Sequence, residues 1–573
     1  MDQTPIVDKF SDLRKVQDRS VLFVDGRGAS HRYTHKELLD TAQSFAGGLL
    51  KSGVNPGEPV VLVMTNPEAA VITILGCMML GCPPTPVYPP QNLQAVPGFL
   101  SFVKHVADRS NATLIISEGQ PHIFLGAIPH ETKTIRGVQK FETIFAGNTG
   151  GDLPKSISNP AAFLQFTSGS TSTPKGVVVS HQGLAANLWM IREASQMDTK
   201  SCVVTWLPVY HDMGLIGTVL NAITMPCNLV VLPPLAFPKR PGLWLELISE
   251  HRGTHTAAPN FAYGICARKI QDTGNLDLST MTTFICGAEP VIPATMDDFV
   301  ERFRSAGLRP GAMVPAYGLA EATLAVTFTP YLRGMAEDTV DRNALSARGV
   351  ATVLDGTNSH SVRIASCGVP MAGLSVRVAS ESGTAVLERQ VGEVQILGPS
   401  VTPGYIGDDD ATRTSRTPDG WLKTGDLGYF SGSELHICGR IKDVIIVRGK
   451  NFHAHDLEIV ASDVPGIRTG NVVAFGATHR QSEVLIIVAE SRLEDDPQLV
   501  RKVRNHLTET IGVSPDEVIV VPPGTLPKTS SGKLKRLETK SLYETGRLFR
   551  KKSKTAGYIE ALKSRLGFLR KRK

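Results

Sequence analysis

The chain has 573 residues, more than one hydrophobic core supports, and this length predicts two or three domains. Its composition, 42% hydrophobic and 20% charged, is that of an ordinary globular protein, and no apolar run approaches the roughly 20 residues of a membrane helix. The N-terminal residues show no basic stretch leading into an apolar one, so we expect no secretory signal.

The net charge of +6 is unevenly distributed along the chain. Between Lys535 and Lys573 there are 14 Lys and Arg against 3 Asp and Glu. Such a basic tail suits an acidic protein partner or an anionic membrane surface, although a merely solvated tail explains it equally well. It contains no base-reading motif, so we expect no nucleic-acid partner. The 8 cysteines show no metal-binding spacing, which indicates buried reduced thiols and a cytoplasmic setting.

Short apolar runs alternate with helical stretches over the first 430 residues. Strands are predicted at 59–65, Thr113–Ser117, Ala162–Phe166 and Val203–Leu207, and a helix at Ala69–Leu80. This alternation predicts an α/β fold with a large, doubly wound N-terminal domain that includes a β-rich subdomain. Ligands of such sheets bind beyond the carboxyl ends of the strands.

The pattern changes near Gly439. ELHICGR (434–440) and DVIIVRG (443–449) predict a short hairpin, and about a hundred residues with an α+β pattern follow. The elements predicted there are helices at Asp456–Ala461 and Leu499–Thr510 and strands at Asn471–Gly476, Val484–Glu490 and Glu517–Val521. We therefore predict a large domain at 1–439, a boundary at 440–443 and a small α+β domain at 444–573 that ends in the basic tail.

One loop has the composition of a phosphate-binding site. LQFTSGSTSTPKG (164–176) lies between two predicted strands, and from Thr167 to Gly176 it holds six Ser and Thr hydroxyls, two glycines and a lysine. Glycines let backbone N–H groups approach phosphate oxygens, hydroxyls add donors, and Lys175 adds a cation. The spacing is not that of a Walker loop. A flexible linker is the plain alternative, but a linker has no need of the final Pro-Lys-Gly.

Six further motifs follow this loop in order. They are WLPVYHDMGL (206–215), CGAEP (286–290), YGLAEAT (317–323), GWLKTGDLG (420–428), GRIKDVIIVRGKN (439–451) and PKTSSGKLKR (527–536). Loop and motifs together resemble the adenylate-forming superfamily, which includes acyl-CoA synthetases, luciferases, peptide-synthetase adenylation domains and fatty acyl-AMP ligases. The resemblance implies that a carboxylic acid is joined to AMP, with ATP and Mg²⁺ as cofactors.

The resemblance also implies an ATP site. Tyr317 would stack on adenine, Asp426 with Arg440 would bind the ribose hydroxyls, and Glu321 would hold Mg²⁺. A turn aspartate and a solvated glutamate are the alternatives for Asp426 and Glu321. The complete set expected to bind ATP is Thr167, Ser168, Gly169, Ser170, Thr171, Thr173, Gly287, Ala288, Glu289, Tyr317, Gly318, Asp426 and Arg440.

Three residues are expected to serve catalysis. Lys533 would reach both the carboxylate and the α-phosphate, and Lys175 would hold the phosphates. His211 resembles the residue at the mouth of the acyl pocket, with a core histidine as the alternative. Since Lys533 belongs to the small C-terminal domain, the resemblance implies a mobile domain that closes over the large one, with Lys442 at the hinge.

Several features resemble fatty acyl-AMP ligases rather than acyl-CoA synthetases. Ala320 replaces a threonine, and Asn451 and Asp456 match the ligase form of their motif. Tyr331–Ser361 resembles the insertion that restrains the C-terminal domain and disfavours CoA, although a surface loop is the plain alternative. Trp244, Phe261, Tyr263 and Gly264 are expected to line an acyl tunnel, and a packed core would have the same composition.

The sequence thus predicts a fatty acyl-AMP ligase that transfers its acyl group to the phosphopantetheine thiol of an acyl carrier protein. The alternatives are a medium- or long-chain acyl-CoA synthetase and a catalytically inactive nucleotide-binding relative. A peptide-synthetase adenylation domain is disfavoured, because no aspartate is placed to bind an amino-acid ammonium group. Which acid is used and whether Thr323 replaces the hydroxyl missing at Ala320 stay open.

Overall fold

The computed structural model describes residues 4–25, 30–90, 93–146, 153, 159–167, 174–358, 360–447, 450–479, 482–493, 496–528 and 533–548. Within these ranges the largest sheet has nine strands, and its central neighbours run parallel. The outer strands on both sides pair antiparallel. In spatial order the strands are Val369–Pro370, Ala325–Phe328, Met313–Gly318, Thr283–Cys286, His255–Ala258, Cys202–Thr205, Asn228–Val231, Ser20–Val24 and Ser30–Thr34.

Helices cover both faces of this sheet. Successive strand residues face different cores, as Val203 and Val204 show, because side chains alternate across a strand. The core around Val203 includes residues of the helices His35–Lys51, Pro67–Met79 and His181–Ser195. The core around Val204 includes residues of the helices Gly242–Glu250, Asn260–Lys269 and Pro293–Phe303. The predicted doubly wound α/β domain is confirmed.

A second, parallel sheet and a separate hairpin stand beside the large sheet. The hairpin pairs Ala161–Thr167 with Lys175–Ser180 and carries the predicted phosphate loop at its end. The helix Val96–Ser110 packs its buried face in the same core as both. The strands of the second sheet, in spatial order, are Pro84–Val87, Val60–Val63, Leu114–Ser117 and Gly137–Lys140.

The β-rich part follows the large sheet. Four antiparallel strands form one sheet there, and Glu337–Asp341 pairs with Ser361–Ala365 in another. The helix Arg342–Arg348 begins after this first strand because the Asp341 carboxylate accepts a hydrogen bond from Ala344 N–H, 2.6 Å. The four strands are Ser375–Ala379, Gly392–Leu397, Leu422–Ser431 and Glu434–Arg440.

Shorter helical segments complete the part before residue 444. The α-helical segments are Phe10–Leu13, Phe141–Ala146, Asp212–Gly214, Asn221–Thr224, Ala236–Lys239 and Asp409–Thr414. A π-helical stretch, Leu215–Leu220, joins two of these segments into one continuous run. The 3₁₀ turns are Ile6–Lys9, Leu93–Ala95, Gln120–His130, Arg304–Ala306, Pro310–Ala312, Ala320–Ala322 and Ile441–Asp443.

The region from Val444 onward has its own sheets and cores. Val444–Val447 pairs with Lys450–His453, and three further strands are Ile467–His479, Ser482–Ser491 and Glu517–Val521. The helices are Ala454–Ser462, Pro497–Ile511 and Arg536–Glu544. The first two pack on one face of the three-stranded sheet, and the third packs on the other. We call residues 444–548 the C-terminal region; the domain limits at 439 and 444 stay predictions.

Most predicted elements are present, but the predicted hairpin of 434–449 is wrong. Glu434–Arg440 pairs with the preceding strand Leu422–Ser431, and Val444–Val447 pairs with Lys450–His453. The reason is the tight turn at Gly432, whose φ of +60° suits glycine and joins two strands directly. No helix in the described part of the chain is long and apolar enough to cross a membrane. All eight cysteines are unpaired thiols, and seven are buried.

Candidate active site

The phosphate-loop hairpin brings Thr167 opposite Lys175 at the end where the loop connects its two strands. The far end of the loop is fixed by the helix Val96–Ser110, from which His105 Nε2 donates a 2.8 Å hydrogen bond to the Pro174 carbonyl. Lys175 therefore leaves the loop at a defined point, as the first residue of a strand. Outside the described residues lie Ser168, Gly169, Ser170, Thr171 and Thr173.

A tyrosine connects Lys175 with the predicted metal ligand. The Lys175 ammonium lies 4.7 Å from the centre of the Tyr405 ring. The hydroxyl of Tyr405 donates a 2.8 Å hydrogen bond to Glu321 Oε1. Burial raises the pKa of the Glu321 carboxyl, and the bond from Tyr405 opposes that rise. The sequence interpretation missed Tyr405, for which Pro403-Gly404-Tyr405 gave only a turn signal.

Glu321 suits a magnesium ion that arrives with a nucleotide. It lies in the 3₁₀ turn Ala320–Ala322 and is a hard oxygen ligand. Among the described residues no three His, Cys, Asp or Glu side chains are grouped as a metal centre. Mg²⁺ typically takes one or two carboxylates and completes its shell with phosphate oxygens and water. One half-buried carboxylate, joined through Tyr405 to Lys175, fits that pattern.

Three residues of the predicted nucleoside site form a hydrogen-bonded chain. Tyr317 donates from its hydroxyl to Asp426 Oδ2 at 2.7 Å, and Arg440 donates from Nε to Asp426 Oδ1 at 2.8 Å. Asp426 and Arg440 are also direct neighbours in the antiparallel sheet. The Asp426 charge raises the pKa of Arg440, and burial raises that of Tyr317. The sequence placed these residues at one site but did not foresee the Tyr317–Asp426 bond.

The backbone before Asp426 needs a glycine. Gly425 has a φ of +72°, in the left-handed region that other residues avoid. Its N–H donates to Glu393 Oε1 at 3.0 Å, and Asp426 N–H donates to Thr424 Oγ1 at 3.0 Å. This turn aims the Asp426 carboxylate towards Tyr317 and Arg440.

The CGAEP motif follows the strand Thr283–Cys286 at its carboxyl end. Ala288 has a φ of +66°, and such strained backbone is concentrated at functional sites. The Glu289 carboxylate accepts a 2.7 Å hydrogen bond from Phe261 N–H, and burial raises its pKa. The sequence interpretation used Glu289 for its backbone only, whereas its side chain also caps the helix Asn260–Lys269.

Two glycines of the predicted ATP site lie against neighbouring backbone. A side chain on Gly287 would approach the Ala316 carbonyl oxygen to 3.0 Å, and one on Gly318 would approach the Leu324 carbonyl oxygen to 2.0 Å. Only glycine fits at Gly318 without movement of the main chain.

Lys533 lies among charged groups from the part of the chain before residue 444. Burial lowers its pKa below the ordinary 10.5, and the carboxylates of Asp212 and Glu289 oppose that fall. Arg440 and Asp426 also act on it. The C-terminal region thus brings Lys533 within electrostatic range of residues from four separate motifs, and its catalytic role stays a prediction.

His211 pairs with its neighbour Asp212. The Nδ1 and Oδ1 atoms lie 2.7 Å apart, and Met213 N–H also donates to Asp212 Oδ1 at 2.7 Å. Burial raises the pKa of Asp212, but the charges of His211 and Lys533 and the hydrogen bonds outweigh it, and the pKa is lowered. Asp212 is a second site residue that the sequence interpretation missed, although it stands inside a quoted motif.

The residues expected to line an acyl tunnel are mainly core residues. Trp244 Nε1 donates to Thr256 Oγ1 at 3.0 Å, and Tyr263 donates from its hydroxyl to the Ile285 carbonyl at 2.7 Å. Both are fully buried in an aromatic cluster. Phe261 is partly buried at the edge of the same core. Trp244 and Tyr263 therefore support the wall of the site rather than line a channel.

A small cavity lies next to this cluster. It has room for about one water molecule. Its lining comprises Ile191, Met197, Val203, Gly217 and Ile285 together with the polar residues Ser195, Thr218, His255 and Thr256. Ile285 directly precedes the end of the strand that leads into CGAEP, and Gly217 belongs to the π-helical stretch after His211. π-helical turns are frequent at functional sites.

Thr323 does not replace the hydroxyl missing at Ala320. Its Oγ1 donates a 2.7 Å hydrogen bond to the Ser400 carbonyl, and the side chain is buried. Its φ of +71° fixes this geometry. The hydroxyl is therefore used to hold the backbone.

The 331–361 stretch contacts the C-terminal region. Arg342 forms an ion pair with Asp456, which lies in the helix Ala454–Ser462. Lys442 lies in the 3₁₀ turn Ile441–Asp443, and the last residue of that turn pairs with Arg536 at 2.5 Å. The side chain of Asn451 lies outside the described residues.

The chain is similar to known proteins over most of its length. The family model described as AMP-binding enzyme matches residues 11–406. The chain is 32% identical over 533 residues to the medium-chain-fatty-acid–[acyl-carrier-protein] ligase JamA of Moorena producens, covering 89% of this chain and 90% of that protein. It is 32% identical over 522 residues to a Caulobacter vibrioides protein provisionally named acyl-CoA synthetase, again covering 89% and 90%.

The fold matches solved structures as well. A chain from structural and functional studies of fatty acyl-adenylate ligases from E. coli and L. pneumophila superposes with a TM-score of 0.88 at 30% identity. The match covers 95% of this chain and 98% of the other. Because the family model matches more than half of the chain, this protein belongs to the AMP-binding enzyme family.

Proposed function

We propose that the protein is a fatty acyl-AMP ligase. One observation carries the proposal: the half-buried Lys533 of the C-terminal region lies within electrostatic range of Asp212, Glu289, Asp426 and Arg440 of the preceding part. A cation at that point would act on both the nucleotide and the acid. The reaction forms a bond between a carboxylate oxygen and the α-phosphorus of ATP, and it breaks the bond from that phosphorus to the departing pyrophosphate.

The charges at the site suit this reaction. The carboxylate and the triphosphate repel each other, so the site has to supply positive charge where negative charge develops. Lys533 would hold the carboxylate and α-phosphate oxygens together, and Lys175 would bind the departing phosphates. Magnesium would supply further neutralisation of the phosphates, and Glu321 is the residue that would hold it. Asp426 would bind the ribose hydroxyls beside Tyr317.

The proposed substrate is a fatty acid. The small cavity beside Ile285 and Gly217 has room for about one water molecule, so it is too small to be the site of a hydrocarbon chain. The names of JamA and of the solved fatty acyl-adenylate ligases agree with this substrate class.

A carrier-protein thiol is the proposed acceptor. The thiolate would attack the acyl carbonyl, forming the thioester and releasing AMP. Two features support this choice. Ala320 resembles the residue of fatty acyl-AMP ligases. The Arg342–Asp456 contact ties the C-terminal region to the 331–361 stretch, which would oppose the rotation that CoA use requires. The Caulobacter relative favours the alternative, an acyl-CoA synthetase. We also infer a reducing, cytoplasmic setting from the eight unpaired thiols.

The acceptor is tested by incubating the protein with ATP, Mg²⁺, fatty acids of graded length, and either CoA or a phosphopantetheinylated carrier protein. We expect acyl-adenylate with fatty acids and acyl transfer to the carrier protein. Efficient release of acyl-CoA would replace the proposal with the synthetase alternative.

A catalytic substitution separates an enzyme from an inactive relative. Lys533→Ala should abolish adenylate formation, measured as pyrophosphate exchange, while ATP binding by calorimetry stays close to that of the wild type. Lys540→Ala, in the following helix, is the matched control because that lysine pairs only with the nearby Glu544 in the described contacts. Pyrophosphate exchange by the Lys533 variant at the wild-type rate would contradict the mechanism.

A further inference from the structure

The chain segment 400–406 lies between two parts of the phosphate site. On one side it pairs with the strand that leaves the phosphate loop: Val178 N–H donates to the Gly404 carbonyl at 3.0 Å, and Ile406 N–H donates to the Gly176 carbonyl at 2.8 Å. On the other side it joins the turn of the metal ligand, because Thr402 N–H donates to the Glu321 carbonyl at 2.7 Å. The segment therefore holds two separate motifs in a fixed relation.

The space around the segment is tight. A side chain on Gly176 would come within 2.6 Å of the side chains of both Ile406 and Phe166, so glycine at this position leaves room for them. The N–H of Tyr405 donates to Thr412 Oγ1 at 2.9 Å. Backbone bonds on both sides thus fix the direction in which the Tyr405 side chain points.

The phenol of Tyr405 contacts one charged group with its face and the other with its edge. Its ring lies under the Lys175 ammonium, and its hydroxyl donates to Glu321. The hydroxyl is the donor in this contact, because the carboxylate oxygen of Glu321 accepts. One side chain thereby touches the phosphate-loop cation and the carboxylate that suits magnesium.

We propose that Tyr405 is a positioning residue that fixes the Lys175 ammonium and the Glu321 carboxylate relative to each other, so that the phosphates of ATP and their metal ion are bound together. The inference rests on the proposed function. It assigns a role to a residue outside the motifs that indicated the site.

Two physical effects would result. A hydrogen bond to a metal-binding carboxylate orients it, and loss of such a partner typically weakens metal binding about 10- to 100-fold. An aromatic ring under an ammonium restricts where that cation lies and contributes roughly 0.5–2 kcal/mol. The hydroxyl should therefore affect the metal, and the ring should affect the nucleotide.

Two variants separate these effects. Tyr405→Phe keeps the ring and removes only the hydroxyl, whereas Tyr405→Leu removes both. Tyr33→Phe is the matched control, because Tyr33 also donates to a glutamate, Glu68 Oε1, at 2.7 Å, on an edge strand of the large sheet. All variants are made in the full chain, and thermal unfolding checks their folding.

Binding is measured without turnover. Calorimetry gives the affinity for the analogue α,β-methylene-ATP in the absence of divalent metal. Electron paramagnetic resonance of Mn²⁺ gives the metal affinity of the complex with that analogue. For Tyr405→Phe we expect Mn²⁺ affinity to fall about 10-fold, with metal-free analogue affinity unchanged. For Tyr405→Leu we expect the same loss for Mn²⁺ and about a threefold loss for the metal-free analogue.

Two results would overturn the proposal. One is Mn²⁺ affinity in Tyr405→Phe within about twofold of the wild type, where the expected loss is about 10-fold. The other is equal affinity of the Phe and Leu variants for the analogue in the absence of metal, which would show that the ring has no role. If the Leu variant does not fold, the nearly isosteric Phe variant decides alone. A wild type that binds no analogue at all would instead contradict the proposed function.

Discussion

Arg342 and Asp456 form an ion pair that joins the 331–361 stretch to the helix Ala454–Ser462 of the C-terminal region. The arginine side chain is only 10% exposed, so the pair is shielded from water. Arg342 also donates to the Ser361 carbonyl at 3.2 Å, near the other end of the stretch. The stretch is therefore a folded element with a specific contact, not a bare surface loop.

Arg342→Ala should increase the use of CoA. Losing the pair frees the C-terminal region to rotate, and we expect the ratio of acyl-CoA to acyl-carrier product to rise about fivefold, equivalent to about 1 kcal/mol. Arg363→Ala is the control, because Arg363 pairs with Glu337 and Asp297 within the preceding part only. The ratio is measured by competition of both acceptors in one reaction. An unchanged ratio would show that the pair does not restrain the region.

The pH profile of the adenylation rate should fall on its basic side as Lys533 loses its proton. Burial lowers the pKa of this lysine below 10.5, and only the protonated ammonium supplies charge, so the rate should fall at a pH below 10.5. Asp212→Asn removes a carboxylate that raises this pKa, so the fall should move to still lower pH. Pyrophosphate exchange is measured against pH at saturating substrates. A fall that stays at the same pH in Asp212→Asn would contradict the assignment to Lys533.

Tyr317→Phe tests the bond to Asp426. Because hydrogen bonds to charged groups are worth about 1.5–3 kcal/mol, we expect the free energy of unfolding to drop by about 2 kcal/mol and the KM for ATP to rise. Tyr429→Phe is the matched control: its hydroxyl donates to Asp338 at 3.1 Å, also in the β-rich part. The control should lose stability with no change in the KM for ATP. If the KM for ATP rises equally in Tyr317→Phe and Tyr429→Phe, the rise reflects lost stability and not the bond to Asp426.

Gly425→Ala tests the turn before Asp426. Nothing lies within 4 Å of a side chain placed there, so the effect comes from the backbone, whose φ of +72° costs a non-glycine residue about 1–2 kcal/mol. Gly432→Ala is the control, since it has a φ of +60° and equally open surroundings. Both variants should unfold at lower temperature, but only Gly425→Ala should weaken ATP binding. If both variants bind ATP with similar affinity, the turn at Gly425 has no role in ATP binding.

The basic tail is predicted to attract an acidic carrier protein. Leu548 is only 5% exposed and packs into a core of the C-terminal region, so truncation has to begin at Phe549. Without residues 549–573 the KM for the carrier protein should rise at low salt, and the difference should vanish at high salt. Pyrophosphate exchange should not change. A truncated protein that acylates its carrier as well as the full chain would leave the tail without this role.

The site could be predicted from the sequence where its residues belong to motifs at strand ends. Tyr317, Asp426 and Arg440 lie together as expected, because parallel strands and their neighbouring sheet deliver these loops to one edge. Lys533 is delivered by a separate region, and its motif alone identified it.

Contacts between distant residues could not be predicted in the same way. Tyr405 and Glu321 are 84 positions apart, and no periodicity or spacing links them. The wrong hairpin at 434–449 has a local reason, because the turn at Gly432 competes with the longer connection at 441–443. Trp244 and Tyr263 show the limit of composition, since an apolar wall and an apolar channel use the same residues.

The hydrophobic clusters of the described residues lie either entirely before residue 439 or entirely after residue 444. The two sides share no hydrophobic core among the described residues, and the contacts named above between them are charged. Because exposure of apolar surface dominates the heat capacity of unfolding, parting the two sides should change the heat capacity far less than melting either one. Movement of the C-terminal region would then vary little in free energy across the temperatures at which the protein stays folded.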